Sequence, residues 1–186
     1  MKNGSSKSIF LETVPVIIGI LIAVVISNIQ ERYADKQYLK TTIKAIRTQN
    51  MENIDELQYA LSRQNVLLDS LKTMLEDDKS TLFDAIGKGK GLYTPDLKST
   101  TWQFLFENEN HTLVSYDLIN QLSEIEKYEE LVKGYNESVK QILFDPDVFE
   151  NPKMKKILRI WLSDFMAVER DMIEELYAFD SLAADY

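Results

Sequence analysis

The apolar residues nearest the N-terminus form one long run, and the pattern changes to a helical period after it. Residues 13–29 carry no charged side chain, and as a helix they would span about 25 Å. With the apolar residues 9–11 the segment approaches the ~30 Å hydrocarbon core of a bilayer. The pattern predicts a transmembrane anchor over residues 9–29, preceded by a tail of residues 1–8. A cleaved signal peptide is disfavoured because no small-x-small cleavage site follows the run.

After the anchor, apolar side chains recur three or four residues apart, which predicts a long amphipathic helix over residues 30–78. No proline or glycine interrupts these residues, but the spacing of the apolar positions slips near Asn50. Two interpretations stay open: a continuous stalk or coiled-coil strand about 70 Å long, or a helix broken near Asn50. The apolar positions are Leu39, Ile43, Ile46, Ile54, Leu57, Leu61, Leu68, Leu71 and Leu75.

Residues 79–95 are predicted to form a flexible linker, because glycine alternates with lysine over Gly87–Gly91. Residues 96–186 have helical periodicity and are predicted to complete the soluble domain as a helical bundle.

Three helices are predicted within this bundle. A short one covers about residues 96–107, and a second runs from a Ser115 cap to about residue 144. The third begins at Asn151 and Pro152, an N-cap residue followed by proline at the first helical position. Each long helix has one apolar and one polar face, which predicts an all-α fold with an antiparallel helical bundle.

Charge excludes one class of partner. Once Lys2, Lys7 and Glu12 are set aside, residues 30–186 carry 19 Lys and Arg against 29 Asp and Glu. Such a negative chain repels nucleic acid, whose binding depends on neutralising phosphates, and disfavours a general polybasic surface for anionic lipid. The chain contains no cysteine, so disulfides and thiolate metal sites are excluded.

The N-terminal residues also carry a resemblance to a known family. Glu12, Gly19–Ala23, Asn28 and Glu31 fit the signature E-x6-G-I-L-I-A-x4-N-x2-E. In this signature the chain resembles a group of uncharacterised single-pass membrane proteins of Bacteroidetes. It departs from their usual residues at three positions, Ser27, Ile29 and Gln30. The resemblance implies a membrane-anchored helical protein and implies no particular activity.

Four residues of the anchor are candidate functional positions. Glu12 is ionisable at the edge of a membrane segment, where it either lies solvated among the headgroups or serves ion transfer. Asn28 either lies at the membrane interface or donates hydrogen bonds between helices. Gly19 and Ala23, four residues apart, form a small-xxx-small pair that would allow close helix packing.

The chemistry of the remaining residues does not indicate an enzyme. The segment Gly87–Gly91 lacks the spacing and the Ser or Thr of a phosphate-binding loop, and His111 has no second histidine or cysteine to share a metal. No Glu-x-x-His pattern occurs for a metal centre in a helical bundle. We therefore expect no catalytic residue, no cofactor and no metal site.

The orientation in a bacterial inner membrane has two interpretations. A basic N-terminal tail before an apolar run is typical of a signal anchor with an exported, periplasmic domain, and we favour this layout. The basic residues within 32–47 point the other way, since the positive-inside rule would keep this flank in the cytoplasm.

Three functional hypotheses follow. The first is a membrane-anchored interaction or scaffold protein that forms homo-oligomers or binds another membrane protein. The alternative is a single-pass subunit of an ion-conducting or ion-driven complex that uses Glu12. The third is a small-ligand sensor with a pocket inside the bundle.

Overall fold

The computed structural model describes residues 5–75, 77, 79–98, 114–143, 149, 151 and 153–186; for residues 5–17, 142 and 185 it describes the backbone alone. Every regular element within these ranges is helical, which confirms the predicted all-α class. The elements are α1 (Ser5–Met74), α2 (Leu82–Lys88), α3 (Tyr116–Leu143), α4 (Met154–Leu182) and a terminal 3₁₀ turn (Ala183–Asp185).

Helix α1 is continuous from the predicted anchor into the bundle. It has 70 residues, and it passes Asn50 without interruption, so the broken-helix interpretation is wrong. At 1.5 Å per residue the helix is about 105 Å long. Residues 20–74 contain neither glycine nor proline, which removes the usual causes of a kink. The helix ends at Met74, four residues before the predicted boundary.

Helices α1 and α4 pack side by side and run antiparallel. Near one end of the pair, Arg47 Nε donates to Asp180 Oδ1 over 2.6 Å. At the other end, Lys155 Nζ donates to the backbone oxygen of Met74 over 2.8 Å. The end of α4 therefore lies beside the middle of α1 and the start of α4 beside the end of α1, which defines the direction of the pair.

Helices α3 and α4 are antiparallel as well, so α4 lies between its two long neighbours. Gln121 Nε2 donates to Glu175 Oε2 over 2.6 Å near one end, and Trp161 Nε1 donates to Ser138 Oγ over 3.1 Å towards the other. Because α1 and α3 both oppose α4, they point in the same direction. The chain must therefore travel back along the bundle between them.

The predicted flexible linker over residues 79–95 contains a helix, α2, that the sequence pattern did not predict. Thr81 and Asp84 form a capping box that starts α2, and hydrogen bonds from Thr81 lower the pKa of the Asp84 carboxyl. The side chains of Leu82 and Ala85 are buried against the bundle. The apolar contacts and the capping box therefore stabilise α2 by more than the nearby glycines destabilise it.

Two left-handed residues then reverse the chain. Lys90 has a φ of 61° and Gly91 a φ of 90°, in the region where glycine is unstrained. The following residues, Gly91–Lys98, run back along α1 without helical structure, and we call this segment the strap. The predicted helix over 96–107 is absent at residues 96–98; its residues 99–107 lie outside the described residues, as does His111.

Side chains of α1 form hydrogen bonds to the strap, mostly to its backbone. Asn53 makes two hydrogen bonds to Lys98: its Nδ2 donates to the Lys98 oxygen, and its Oδ1 accepts from the Lys98 N–H, both over 2.9 Å. The hydroxyl of Tyr93 donates to Glu56 Oε1 over 2.7 Å. The side-chain amide of Asn136 in α3 donates to the oxygen of Pro95 over 3.0 Å. The strap therefore bridges α1 and α3.

The starts of the last two helices test the predicted caps. Ser115 caps α3 as predicted, since its Oγ accepts from the N–H of Leu118 over 3.3 Å. Helix α4 begins at Met154 rather than at Asn151. Asn151 Oδ1 accepts from the N–H of Lys153 over 3.0 Å, so it stabilises the turn before the helix.

The core follows the apolar stripes of the three long helices. A stack of aromatic rings lies near its middle, with Tyr135 and Phe165 parallel at 5.1 Å between centroids and Trp161 beside both. The largest fully buried side chains are Phe165, Phe179, Ile43, Ile46, Ile54, Leu57, Leu67, Leu71, Leu82, Leu118 and Leu122.

Candidate functional site

The first part of α1 with described side chains projects from the bundle. Every residue from 18 to 34 is exposed, and Leu39 is the first buried residue among those of α1 whose side chains are described. The large apolar side chains here are 50–62% exposed, among the highest values for apolar residues of the chain. They are Ile18, Ile20, Leu21, Ile22, Val24, Val25, Ile26 and Ile29.

Three of the four predicted site residues lie on this projecting helix. Gly19, Ala23 and Asn28 are all exposed, and a Cβ added to Gly19 would meet no atom within 4 Å. The side chain of Glu12 lies outside the described residues, so the ion-transfer hypothesis stays a prediction. Across the residues that the structure describes, no helix combines the length and apolar character needed to cross a membrane.

A second notable site lies inside the bundle, where Gln64 of α1 and Glu169 of α4 meet. Both side chains are completely buried. Gln64 Nε2 donates to Glu169 Oε1 over 2.7 Å and to the backbone oxygen of Tyr93 over 3.1 Å. Among the described residues, Glu169 Oε2 and Gln64 Oε1 have no hydrogen-bond partner.

This environment changes the acidity of Glu169. Burial raises the pKa of the carboxyl to about 8, although the hydrogen bond from Gln64 and the charge of Arg170 act in the opposite direction. The carboxyl is therefore protonated at neutral pH, and it holds its proton between two helices and the strap. A protonated carboxyl can donate as well as accept, which suits an enclosed site with one amide partner.

Lys155 is the other buried charged residue of α4, with 3% of its surface exposed. Its Nζ donates to the backbone oxygens of Met74, Asp77 and Ser80 over 2.7–2.9 Å and to Ser80 Oγ over 2.9 Å. Those oxygens belong to the end of α1 and the turn after it, where carbonyl groups lack helical partners. Lys155 therefore caps α1 in place of a local residue.

One cleft opens between the strap and α3. Its volume is about 420 Å³, and four of its nine lining residues are acidic. Within the described residues no cluster of three or more His, Asp or Glu is placed to hold a metal ion. The lining residues are Pro95, Asp96, Leu97, Glu126, Glu129, Glu130, Val132, Lys133 and Asn136.

Sequence reasoning missed both buried charges, because a charged residue in an amphipathic helix is normally placed on the wet face. A signal was present: Leu162, Met166 and Glu169 follow one another at helical spacing, so Glu169 extends an apolar row. Comparison with known proteins adds nothing to this picture, since no family model, curated protein or solved structure matches the chain.

Proposed function

We propose that the chain is a single-pass membrane protein whose helical bundle serves as a non-enzymatic interaction or scaffold domain. In this proposal residues 9–29 cross the bilayer, and α1 carries the bundle on the same continuous helix. The proposal holds for either orientation of the bundle.

The observation that carries the proposal is the exposure of apolar side chains on every side of one helix. Residues 18–29 cover more than three turns, and their large apolar members spread over about 240° of the circumference. Ala23 lies in the remaining sector, together with Gly19 and Ser27. A helix that packs against one protein partner needs only one apolar stripe. A bilayer contacts the whole circumference, so it is the environment that this distribution favours.

Alkaline extraction and vesicle flotation of the full-length protein test the anchor. The variant Ile22→Arg with Val25→Arg places two charges in the proposed hydrocarbon core. Each arginine raises the free energy of membrane insertion by about 2.5–3.5 kcal/mol. We expect this variant to lose membrane retention. The matched control is Ile157→Arg with Ile160→Arg, since both isoleucines are 47% exposed on the bundle and have the same three-residue spacing.

The control pair should stay with the membrane as the wild type does. Wild-type protein that is released by alkaline extraction and does not float with vesicles would overturn the proposal. Equal retention of both double variants would also contradict it, because burial in the bilayer would then not depend on residues 22 and 25.

Self-association through the anchor is the second part of the proposal. Gly19 and Ala23 indicate a close-packing face, and the open space around Gly19 leaves it available to a second helix. We expect crosslinking in membranes to yield an oligomer, and Gly19→Leu to weaken it.

Gly134→Leu is the matched control, because Gly134 also has open space around it but lies in α3. It should leave the oligomer intact. A protein that is monomeric in membranes at all concentrations would remove self-association from the proposal while leaving the anchor in place.

A further inference from the structure

In the part of α1 between the proposed anchor and the bundle, the basic and the acidic residues lie on different sides of the helix. Arg32, Lys36 and Lys40 follow at four-residue spacing, so they lie along one side of the helix within about 80° of its circumference. Glu31 and Asp35 lie about 120° away from the centre of this row. The basic row stands out in a chain of formal net charge −9.

These three basic side chains are exposed, and none forms an ion pair with any residue that the structure describes. Arg47, further along the same helix, shows the contrast, since it pairs with Asp180 of α4. The row is thus free to bind an anionic group from outside the bundle.

The distance of each basic residue from the edge of the hydrocarbon core indicates which anionic group the row can bind. If Ile29 marks the edge of the hydrocarbon core, Arg32 lies about 5 Å beyond it, Lys36 about 10 Å and Lys40 about 16 Å. The headgroup layer on each side of a bilayer is about 5–8 Å thick. Long basic side chains reach back towards phosphates, so Arg32 and Lys36 lie at the level of the headgroups.

We propose that the basic row of Arg32, Lys36 and Lys40 binds the phosphate groups of anionic lipids on the side of the membrane that carries the bundle. This inference rests on the proposed membrane anchor and adds a lipid class to it. Arg32 and Lys36 make direct contact, and Lys40 contributes within one Debye length of the surface. Lys44, a further turn away at about 22 Å, is beyond effective reach.

Lipid retention by the full-length protein tests this. The protein is placed in nanodiscs of equal parts phosphatidylcholine and phosphatidylglycerol, and native mass spectrometry gives the ratio of the two lipids that stay bound. For wild type we expect phosphatidylglycerol to be enriched about fivefold or more. Arg32→Gln with Lys36→Gln should bring the ratio close to one.

The matched control is Lys44→Gln with Lys88→Gln, which removes the same charge from residues beyond the headgroups and should keep the enrichment. A wild-type ratio near one would overturn the proposal, and so would equal loss in both double variants. If Arg32→Gln with Lys36→Gln instead kept the lipid ratio but lost a co-purifying acidic protein, the row would serve that partner and the lipid proposal would fail.

Flotation with pure phosphatidylcholine vesicles separates this inference from the proposed function. Wild-type protein that floats with neutral vesicles but shows no enrichment retains its anchor and contradicts only the lipid proposal. Protein that floats with neither neutral nor anionic vesicles contradicts the anchor itself.

Discussion

Glu169 and Gln64 are joined by a 2.7 Å hydrogen bond between α4 and α1, at a depth where neither side chain is exposed. The carboxyl keeps its proton at neutral pH in the folded protein, because burial raises its pKa from the ordinary range of a glutamate to about 8. In the unfolded chain the same group ionises near its ordinary pKa. Folding is therefore linked to proton uptake at this residue.

The first prediction concerns the pH dependence of stability. Since the folded pKa is raised, this residue's favourable contribution is complete below about pH 4.5 and is lost as pH rises towards about 8. Glu169→Gln keeps the shape and the amide partner but cannot ionise. At pH 7 we expect it to be more stable than wild type by about 3 kcal/mol, and near pH 4 to be similar.

Denaturant unfolding of the full-length protein, followed by tryptophan fluorescence, measures this difference. The chain has two tryptophans, and one of them, Trp161, packs half-buried against the core. Glu174→Gln is the control, because Glu174 is an exposed residue of the same helix and should leave the pH profile unchanged. Parallel pH profiles for wild type and Glu169→Gln would contradict a proton held at Glu169.

The second prediction concerns the lysine that caps α1. Lys155→Met keeps the length of the side chain but removes the donor for the oxygens of Met74, Asp77 and Ser80. We expect a loss of about 2–4 kcal/mol of stability, measured by chemical unfolding. Lys156→Met serves as control, since this exposed neighbour should change stability by less than about 0.5 kcal/mol.

The third prediction is that alanine at two nearby glycines changes the stability of the protein in opposite directions. A Cβ on Gly89 would lie 2.7 Å from Leu67 Cδ1 and 2.8 Å from Leu67 Cα, so Gly89→Ala forces backbone apart and should cost about 1–3 kcal/mol. A Cβ on Gly87 meets nothing within 4 Å inside α2. Gly87→Ala should raise stability by up to about 1 kcal/mol. Thermal unfolding of the two variants, side by side, gives the signs, and equal signs would contradict the close contact.

The fourth prediction concerns the strap. Asn53→Leu removes both hydrogen bonds to Lys98, and we expect amide exchange in peptides covering residues 91–98 to accelerate about tenfold or more. Hydrogen exchange with mass spectrometry measures it. Asn65→Leu is the control, because the side-chain amide of Asn65 donates to the backbone oxygen of Leu61 within its own helix. Unchanged exchange in the Asn53 variant would mean that other contacts hold the strap.

Sequence patterns predicted the long helices well because their stripes repeat over many turns. Residues such as Leu118, Leu122 and Phe165 fall on those stripes and are buried, and Ser115 caps α3 as its position indicates. The pattern could not decide whether the helix breaks at Asn50. A single buried amide is compatible with either conformation, and tertiary packing determines the outcome.

The path of the strap and the packing of α2 could not be predicted from neighbouring residues in the sequence. The alternating glycines over Gly87–Gly91 indicated flexibility, yet the contact of Gly89 with Leu67 joins residues 22 positions apart. Lys155 likewise acts on residues about 80 positions away in the chain. Such partners are determined by helix pairing, which periodicity alone does not specify.

Because α1 is one unbroken helix, its exposed first segment and the bundle share a rotational phase. Each residue of an α-helix turns the chain by about 100° and advances it by about 1.5 Å. One residue inserted between positions 30 and 38 would therefore rotate the whole bundle by more than a quarter turn about the axis of that exposed segment. The direction in which the bundle faces, relative to residues 18–29, is thus determined by the length of a nine-residue segment.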